Sequence, residues 1–261
     1  MPAGGCQRRE PCRVGLDPVR RTVLNHGQLI LRRGGLDLID KRRQTADEAV
    51  ADIEDGSIVL IGGFGMTGEP RELCGALAQR KVRGLTIVTN NAGSGEFGIG
   101  LLMKQGCVDK IVCSFPRVPG SVVFEELYEA GKLELEMVPQ GTIAERVRAG
   151  AAGVPAFFTR TSWGTPLAEG KETRTFDGKE YVMERAIRGD VALVKAFKGD
   201  RWGNLVYAKS MRNFNPVMAM GAELTIAQVS EIVELGDLDP ENIVTPGIFV
   251  DRVVQLEALN A

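Results

Sequence analysis

The stretch DGSIVLIGGFGMTGEP occupies residues 55–70 and decides the fold class. It begins with an Asp-Gly turn, continues as an apolar run of strand length, Ser57–Ile61, and then enters a glycine-rich loop. An apolar run without alternation is typical of a parallel strand that is buried on both faces. Pro70 follows the loop, in a position that suits the first turn of a helix. The stretch therefore predicts a strand–loop–helix unit of a parallel α/β protein.

The same cycle of apolar strand and short helix continues outward from this unit. Further strands are predicted at Leu85–Val88, Lys110–Cys113, Leu133–Val138, Val191–Phe197, Leu205–Tyr207, Leu224–Val229 and Ile248–Val254. Helices are predicted at Gln44–Ile53, Pro70–Gln79, Phe97–Lys104, Val122–Ala130, Thr142–Ala149 and Pro216–Gly221. Residues 154–188 are less regular, with a hairpin expected around Asp177-Gly178. The pattern predicts an α/β fold with a mostly parallel sheet and helices on both of its faces.

Charge and residue usage exclude several classes of function. The net charge is −2, which implies no general attraction to nucleic acid or membrane, and no apolar run reaches 18 residues. The five cysteines have no CxxC spacing, so we expect reduced cytoplasmic thiols and no metal site. The single histidine, His26, precedes the regular pattern, and this argues against histidine-dependent catalysis within the folded core.

The first 36 residues differ in composition from the rest of the chain. They carry seven arginines against Glu10 and Asp17. No apolar segment of a signal peptide is present, and the acidic residues with Pro11 and Pro18 argue against a transit peptide. We interpret residues 1–36 as a disordered or weakly ordered extension and residues 37–261 as the functional domain.

The glycine loop fits the GxGxxG pattern of dinucleotide-binding proteins at Gly63–Gly68. However, the next strand ends in Thr89-Asn90-Asn91, without the carboxylate that would hold a ribose, and the pattern recurs at Gly93–Gly98. Binding of NAD is therefore not favoured. The alternatives for the loop at residues 62–70 are a cradle for a carboxylate, phosphate or oxyanion, and a tight turn without a ligand.

Longer blocks resemble the signatures of family I CoA-transferases, in the same order along residues 40–256. Asp55–Pro70 resembles the GGFxxxGxP signature with its preceding strand, Thr89–Gly93 resembles SNNAG, and Val138–Gly150 resembles PQGTLAERIRAG. Further matching blocks are Ala168–Glu172, Arg212–Pro216 and Thr245–Val250. The resemblance implies a fold shared with sugar-phosphate isomerases and an enzyme that moves CoA from an acyl-CoA to a carboxylate.

In this family the catalytic glutamate attacks the acyl-CoA and then carries CoA as a thioester, which is covalent catalysis. The glutamate lies in an SENG block on the B subunit, and this chain has no such block. The resemblance therefore implies an A subunit that works with a B subunit, in an assembly of two A and two B chains in the cytoplasm. It implies CoA thioester as a substrate and no tightly bound cofactor.

The matching positions predict the contribution of this chain to the active site. The resemblance places the amide of Gln140 beside the reacting carbonyl, where it stabilises an oxyanion, and places Asn90 and Asn91 towards the substrate or the glutamate. The loop residues Gly62, Gly63, Phe64 and Gly65 are expected to lie close to the substrate. A capped turn for the asparagines, and a position beside a helix cap for Gln140, are the structural alternatives.

The block Cys113-Ser114-Phe115-Pro116-Arg117 bears on the substrate. It resembles the CSFPR of relatives that act on 3-oxoadipate rather than the SYVGEN of relatives that act on acetoacetate. Arginine binds carboxylates in a fork geometry, so we hypothesise that Arg117 binds the distal carboxylate of 3-oxoadipate. An exposed loop arginine is the alternative. Trp163 stands where the family often has tyrosine, and a narrower acyl pocket would follow.

Three other functions compete with succinyl-CoA:3-oxoadipate transfer. The first is the same transfer to acetoacetate or another short 3-oxoacid. The second is a sugar-phosphate isomerase, which would need its own carboxylate base and would work without a partner. The third is a binding protein that kept the fold and lost the chemistry.

Overall fold

Strand β2 (Ile58–Ile61) lies inside the main sheet, and its side chains alternate between the two faces. Val59 and Ile61 pack into one buried cluster, whereas Leu60 packs into a second cluster on the opposite face. Successive side chains of a strand point to opposite faces, so a strand covered on both sides reads as a continuous apolar run. This is the physical origin of the run that predicted the strand. The computed structural model describes residues 39–256.

The described residues form the following elements. The strands are β1 (Arg42–Arg43), β2, β3 (Leu85–Val88), β4 (Val108–Cys113), β5 (Glu134–Met137), β6 (Ala156–Thr159), β7 (Thr173–Phe176), β8 (Lys179–Arg185), β9 (Gly189–Asp200), β10 (Leu205–Val206), β11 (Ala222–Val233) and β12 (Arg252–Gln255). The helices are α1 (Ala46–Ala49), α2 (Arg71–Gln79), α3 (Gly98–Lys104), α4 (Val122–Glu129), α5 (Gln140–Ala151) and α6 (Asn215–Met220). Short 3₁₀ turns occupy Pro166–Ala168, Lys209–Arg212, Pro240–Asn242 and Gly247–Phe249.

The main sheet has nine strands among the described residues, in the order β1-β12-β11-β9-β2-β3-β4-β5, with β10 beside β9. Every pair along this path is parallel, and only β10 runs antiparallel to its neighbour. The predicted fold class, a mostly parallel sheet, is therefore confirmed. Since the parallel strands share one direction, the loops that follow β2, β3, β4 and β5 all leave the same edge of the sheet.

Helices cover both faces of this sheet, as the sequence predicted. One buried cluster takes side chains from α1, α2, α3 and α4, and the other takes side chains from α5 and α6. Full burial of a Val, Leu, Ile or Phe side chain stabilises the fold by about 1.5–3 kcal/mol. Among residues 39–256 no helix has the length and apolarity that crossing a bilayer requires.

Two predicted elements were much longer than the observed ones, and the strands predicted at Val191–Phe197 and Leu224–Val229 were shorter than β9 and β11. The helix expected at Gln44–Ile53 is limited to α1, because carbonyl groups that would continue it accept hydrogen bonds from arginine side chains instead. Arg252 donates to the Ala49 carbonyl oxygen at 2.7 Å, and Arg80 donates to those of Val50 and Ile53 at 2.6 and 2.5 Å.

The strand expected at Ile248–Val254 begins only at Arg252. Its first part is a 3₁₀ turn, because the Gly247 amide donates to Asn204 Oδ1 at 2.9 Å and leaves Ile248 84% exposed. The apolar residues at the start of the predicted strand therefore form a turn at the surface. The interpretation of residues 1–36 as an extension concerns residues outside the described part of the chain.

Residues 156–185 contain a three-stranded antiparallel sheet in the order β6-β8-β7. The hairpin predicted here is confirmed, with Asp177 and Gly178 at positive φ of 50° and 70° in its turn. Strand β6 was not predicted. The carboxylate of Glu184, on β8, is 2% exposed and lies 2.6 Å from Lys171 Nζ and 3.9 Å from Arg146 Nε of α5. This ion-pair network links the small sheet to the helix that carries Gln140.

Candidate active site

A cavity of about 450 Å³ opens at the edge of the sheet where the parallel strands end. The loops that follow β2, β3 and β4 and the start of α5 form its wall. Its lining residues are Phe64, Gly65, Asn90, Asn91, Ser114, Phe115, Val118 and Gln140. Ligands of open parallel sheets bind in this crevice, beyond the carboxyl ends of the strands. Tertiary structure thus brings together Phe64, Gly65, Asn90, Asn91 and Gln140, which the sequence had singled out in three separate blocks.

Asn90 and Asn91 follow β3 after Thr89 and are 4% and 3% exposed. The carbonyl oxygen of the Asn91 side chain accepts from the Gly65 backbone N–H at 2.9 Å, and that of Asn90 accepts from Ser114 Oγ at 2.9 Å. Within residues 39–256 neither Nδ2 has a hydrogen-bond partner in the protein. Neither atom is fully buried, so both remain accessible. Each asparagine therefore keeps an uncharged N–H donor available to a ligand in the cavity.

Gln140 is the first residue of α5 and is exposed at the cavity wall. The preceding Pro139 is in an extended conformation and its carbonyl accepts the amide of Ile143 at 2.9 Å. Gln140 therefore belongs to the first turn of the helix. The backbone N–H groups of this turn have no partner within the helix, and partial positive charge collects there. This edge of the cavity suits developing negative charge on an oxygen atom.

Gly62 and Gly63 were predicted to approach the substrate, but they do not belong to the cavity lining. A Cβ on Gly62 would lie 1.9 Å from Asn215 Oδ1, and Gly63 has a φ of +117° with the Glu69 backbone 3.2 Å from its missing Cβ. These two glycines allow close packing of backbone and side chains beneath the loop. Their direct contact with substrate stays a prediction.

Arg117 lies between the lining residues Phe115 and Val118, but its side chain is 63% exposed and does not line the cavity. Its Nε is 3.7 Å from the Glu125 carboxylate, a distance and exposure typical of a weak surface ion pair. The loop therefore brings Arg117 to the rim of the cavity. Its proposed contact with a substrate carboxylate stays a prediction.

Sequence reasoning related the Cys113–Arg117 block to the substrate but gave no role of their own to Ser114 and Phe115, and it missed Val118; all three form cavity walls. They follow β4 as the asparagines follow β3, and that position at the end of a parallel strand is the signal that identifies them. It also gave no role to Glu69, which is 3% exposed beneath the glycine loop. The Glu69 carboxylate accepts from the Ile99 amide at 2.9 Å, and burial raises the pKa of this carboxyl.

A model of the family described as coenzyme A transferase matches residues 43–256 of the chain. The chain belongs to the coenzyme A transferase family. The resemblance seen in the sequence is thereby confirmed.

Relatives of this coenzyme A transferase cover nearly all of its described part. The A subunit of 3-oxoadipate CoA-transferase from Acinetobacter baylyi is 58% identical over 224 residues, which are 86% of this chain and 98% of that protein. The A subunit of succinyl-CoA:3-ketoacid coenzyme A transferase from Xanthomonas campestris is 51% identical over 215 residues, which are 82% of this chain and 88% of that protein.

A solved structure of an acyl-CoA transferase from Escherichia coli O157:H7, in a thioester complex with CoA, superposes with a TM-score of 0.74 at 25% identity. The superposition covers 83% of this coenzyme A transferase but only 47% of the E. coli chain. This chain therefore corresponds to about half of that enzyme.

The three cysteines within residues 39–256 of this coenzyme A transferase are poor nucleophiles. Cys74, Cys107 and Cys113 are buried and free, and burial raises the pKa of each thiol, in the case of Cys113 to about 12. A thiol reacts as the thiolate, so these groups stay inert near neutral pH. Residues 39–256 also contain no cluster of three or more His, Cys, Asp or Glu side chains that would hold a metal ion.

A larger cavity of about 720 Å³ lies between α1, α2 and α3. Its wall is mostly apolar but also carries polar side chains, and it includes none of the predicted site residues. The polar lining residues are Asp47, Arg71, Glu72 and Gln79. The smaller cavity is the candidate active site, because Asn90, Asn91 and Gln140 of the matching sequence blocks converge there.

Proposed function

We propose that this chain is the A subunit of a heteromeric CoA-transferase that moves CoA from succinyl-CoA to a 3-oxoacid in the cytoplasm. The acceptor proposed is 3-oxoadipate, and acetoacetate is the alternative. The catalytic glutamate is supplied by a B subunit, and the assembly contains two chains of each kind. The CoA thioester is a substrate, and no tightly bound cofactor takes part.

The observation that carries this proposal is a cavity rich in neutral donors with no carboxylate in its wall. Two glutamates of the neighbouring loops are otherwise engaged. Glu69 is buried and bonded to the Ile99 amide, and Glu96 is exposed and paired with Lys104. Transfer through a glutamyl thioester requires a reactive carboxylate, so the arrangement calls for one from another chain.

The cavity and the adjoining glycine loop offer apolar surface to such a chain. Phe64, Met66 and Phe115 are 50%, 57% and 58% exposed although all three are large and apolar. Exposed aromatic and methionine side chains are typical of protein interfaces. The correspondence of this chain to 47% of the E. coli enzyme also supports a second half on a separate chain.

Within the pair, the donors of this chain act on the oxygen of the reacting carbonyl. When the glutamate attacks the thioester, negative charge develops on that oxygen. Gln140, Asn90 and Asn91 all line the cavity. In the proposed mechanism their side-chain amides bind this oxygen without adding a net charge. Preorganised donors stabilise a transition state more than a substrate because they meet charge that appears only there.

Two observations support 3-oxoadipate as the acceptor. Identity is 58% to a relative named for 3-oxoadipate and 51% to one named for 3-ketoacids. The Cys113–Arg117 block lines or borders the cavity, so the residues that resemble the 3-oxoadipate group lie where a substrate would bind. Trp163 is 47% exposed outside this lining, and its effect on an acyl pocket stays a prediction.

The proposal is tested with the chain alone and after co-expression with the product of the adjacent gene. Each sample receives succinyl-CoA together with 3-oxoadipate or acetoacetate, and the CoA thioester of the acceptor is measured. Intact-mass spectrometry after succinyl-CoA alone then locates the CoA adduct. We expect activity only in the pair and an adduct only on the partner chain. Full activity of the isolated chain, or an adduct on it, would overturn the division of labour.

A further inference from the structure

Asn215 is the first residue of α6, and its side chain is completely buried behind the glycine loop. Its Oδ1 accepts from the Lys195 backbone N–H at 2.8 Å. Its Nδ2 donates to the carbonyl oxygens of Met211 at 2.8 Å and Gly68 at 3.1 Å. One amide thus joins the end of the loop to strand β9 and to the turn before α6. A buried amide that meets both donors and acceptors in this way holds its neighbours in one arrangement.

Two glycines of the loop fit closely around this side chain. A Cβ on Gly62 would lie 1.9 Å from Asn215 Oδ1, and a Cβ on Gly68 would lie 2.9 Å from Asn215 Nδ2. Gly68 also has a φ of +73°. The loop therefore begins and ends in contact with Asn215. Any side chain larger than that of glycine at Gly62 or Gly68 would collide with Asn215.

Asn213 holds the middle of the same loop. Its Nδ2 donates to the Thr67 carbonyl oxygen at 2.9 Å, and its Oδ1 lies 3.2 Å from Asn215 Nδ2. Thr67 and Phe64 exchange two backbone hydrogen bonds, at 3.0 and 3.1 Å, which close a tight turn. The position of Phe64 at the cavity therefore depends on the two asparagines.

The next residue of the turn reaches the donors of the cavity. The Gly65 N–H donates to Asn91 Oδ1 at 2.9 Å, and this bond fixes which end of the Asn91 amide carries the free N–H. Without it, the Asn91 side chain could turn its oxygen towards the substrate and repel a developing oxyanion. The chain of contacts runs from Asn215 through the loop to Asn91.

We propose that Asn215, assisted by Asn213, is a positioning residue for catalysis: it holds the Gly62–Gly68 loop so that Gly65 orients the Asn91 donor. The inference rests on the proposed function, since it assigns Asn91 to the reacting oxygen. It differs from a purely structural role, in which loss of Asn215 lowers stability but leaves the turnover of folded enzyme unchanged.

The test replaces Asn215 with Asp, which has the same shape but presents an acceptor to the Gly68 and Met211 carbonyls. Thr225→Val is the matched control. Thr225 is 1% exposed, and its Oγ1 donates to the Ala219 carbonyl at 2.8 Å at the other end of α6. Asn215→Asp loses the bonds to the Met211 and Gly68 carbonyls and Thr225→Val loses the bond to the Ala219 carbonyl, but only Asn215 contacts the glycine loop.

Both variants, co-expressed with the partner chain, are compared for kcat, KM and melting temperature. We expect Asn215→Asp to lower kcat about 10- to 100-fold, since a misplacement near 1 Å can cost about 100-fold, with a smaller change in KM. Thr225→Val lowers the melting temperature and keeps kcat. Asn213→Ala, at a half-buried position, is the second variant if Asn215→Asp does not fold, and its kcat is also expected to fall.

Amide hydrogen exchange of the isolated chain is read alongside, because it does not depend on activity. The Phe64 and Thr67 amides should exchange faster in the Asn215 and Asn213 variants but not in Thr225→Val. Equal kcat per folded enzyme in the Asn215 and Thr225 variants, or unchanged exchange at Phe64 and Thr67, would overturn the inference. An inactive wild-type pair would refute the proposed function, while the exchange data would still decide whether Asn215 positions the loop.

Discussion

Replacement of Arg117 by alanine should change the choice of acceptor while leaving the fold nearly intact. In the structure the Arg117 Nε is 3.7 Å from Glu125, and the two side chains are 63% and 45% exposed. Such a surface pair contributes about 0–1 kcal/mol to stability. Arg117 can therefore leave Glu125 at little cost and turn towards a carboxylate at the cavity rim.

The size of the effect follows from the bond that would be lost. A hydrogen bond to a charged group contributes about 1.5–3 kcal/mol, and about 1.4 kcal/mol corresponds to a tenfold change in rate or affinity. We therefore expect kcat/KM for 3-oxoadipate to fall about 10- to 150-fold. Acetoacetate lacks the distal carboxylate, so its kcat/KM should change by less than about threefold, as expected when no bond to it is lost.

The assay uses the co-expressed pair with succinyl-CoA and varies each acceptor separately. Arg188→Ala serves as the control, because Arg188 forms a comparable surface pair with Glu223 at 3.7 Å, with 56% and 51% exposure, away from the cavity. This control should leave both acceptors unaffected. Equal losses for 3-oxoadipate and acetoacetate in Arg117→Ala would refute the role of Arg117 in recognising the second carboxylate.

Three further changes have expected outcomes. Gln140→Ala should lower kcat about 100- to 1,000-fold in steady-state assays of the pair, because one oxyanion donor is lost. Gly98→Ala should lower the free energy of unfolding by more than about 2 kcal/mol in urea titrations. Its φ is +54° and its Cβ would lie 2.1 Å from Glu69 Oε1. The pKa of Glu136 is lowered overall. Burial alone raises it, but the hydrogen bonds from Arg146 and Lys110 outweigh burial. Stability should therefore be lost as pH falls below the unfolded-state value of 4.5, and less steeply in Glu136→Gln.

Controls separate these outcomes from general damage. Gly75→Ala, inside α2, meets no heavy atom within 4 Å of the added Cβ and should stabilise the chain by about 0.5–1 kcal/mol. The mechanism would be contradicted by a Gln140→Ala enzyme with nearly wild-type kcat. A Gly98→Ala protein as stable as the parent would contradict the packing described for Glu69. Identical acid unfolding of Glu136→Gln and the parent would contradict the assignment of that ion pair.

Elements of the parallel sheet could be predicted because their signal is local. Leu85–Val88 was predicted with the bounds that the structure has, since a short apolar run buried on both faces is visible in four consecutive letters. The helix at Gln44–Ile53 and the strand at Ile248–Val254 were wrong in extent for the opposite reason. Arg252 donates a competing hydrogen bond to the first segment, and Asn204 accepts one from the second. Both residues lie far along the chain from the segment that they affect.

The site divides in the same way. The matching sequence blocks predicted Asn90, Asn91, Gln140 and the glycine loop as site residues. The family to which these blocks point is confirmed. No local pattern relates Ser114 to Asn90 or Gly65 to Asn91, because these bonds join loops that meet only when strands β2, β3 and β4 are aligned in parallel. The free donors of the two asparagines are consequences of those bonds.

The amino-acid sequence by itself determined the α/β class, the family and the absence of a matching glutamate block, since each depends on residue types and short-range spacing. Tertiary structure alone decided which groups face the cavity. It placed Gly62 against Asn215, left Arg117 at the rim and buried Glu69 beneath the loop. The physical reason is that hydrogen-bond partners and burial depend on residues brought together from distant parts of the chain, and one-dimensional spacing does not specify those contacts.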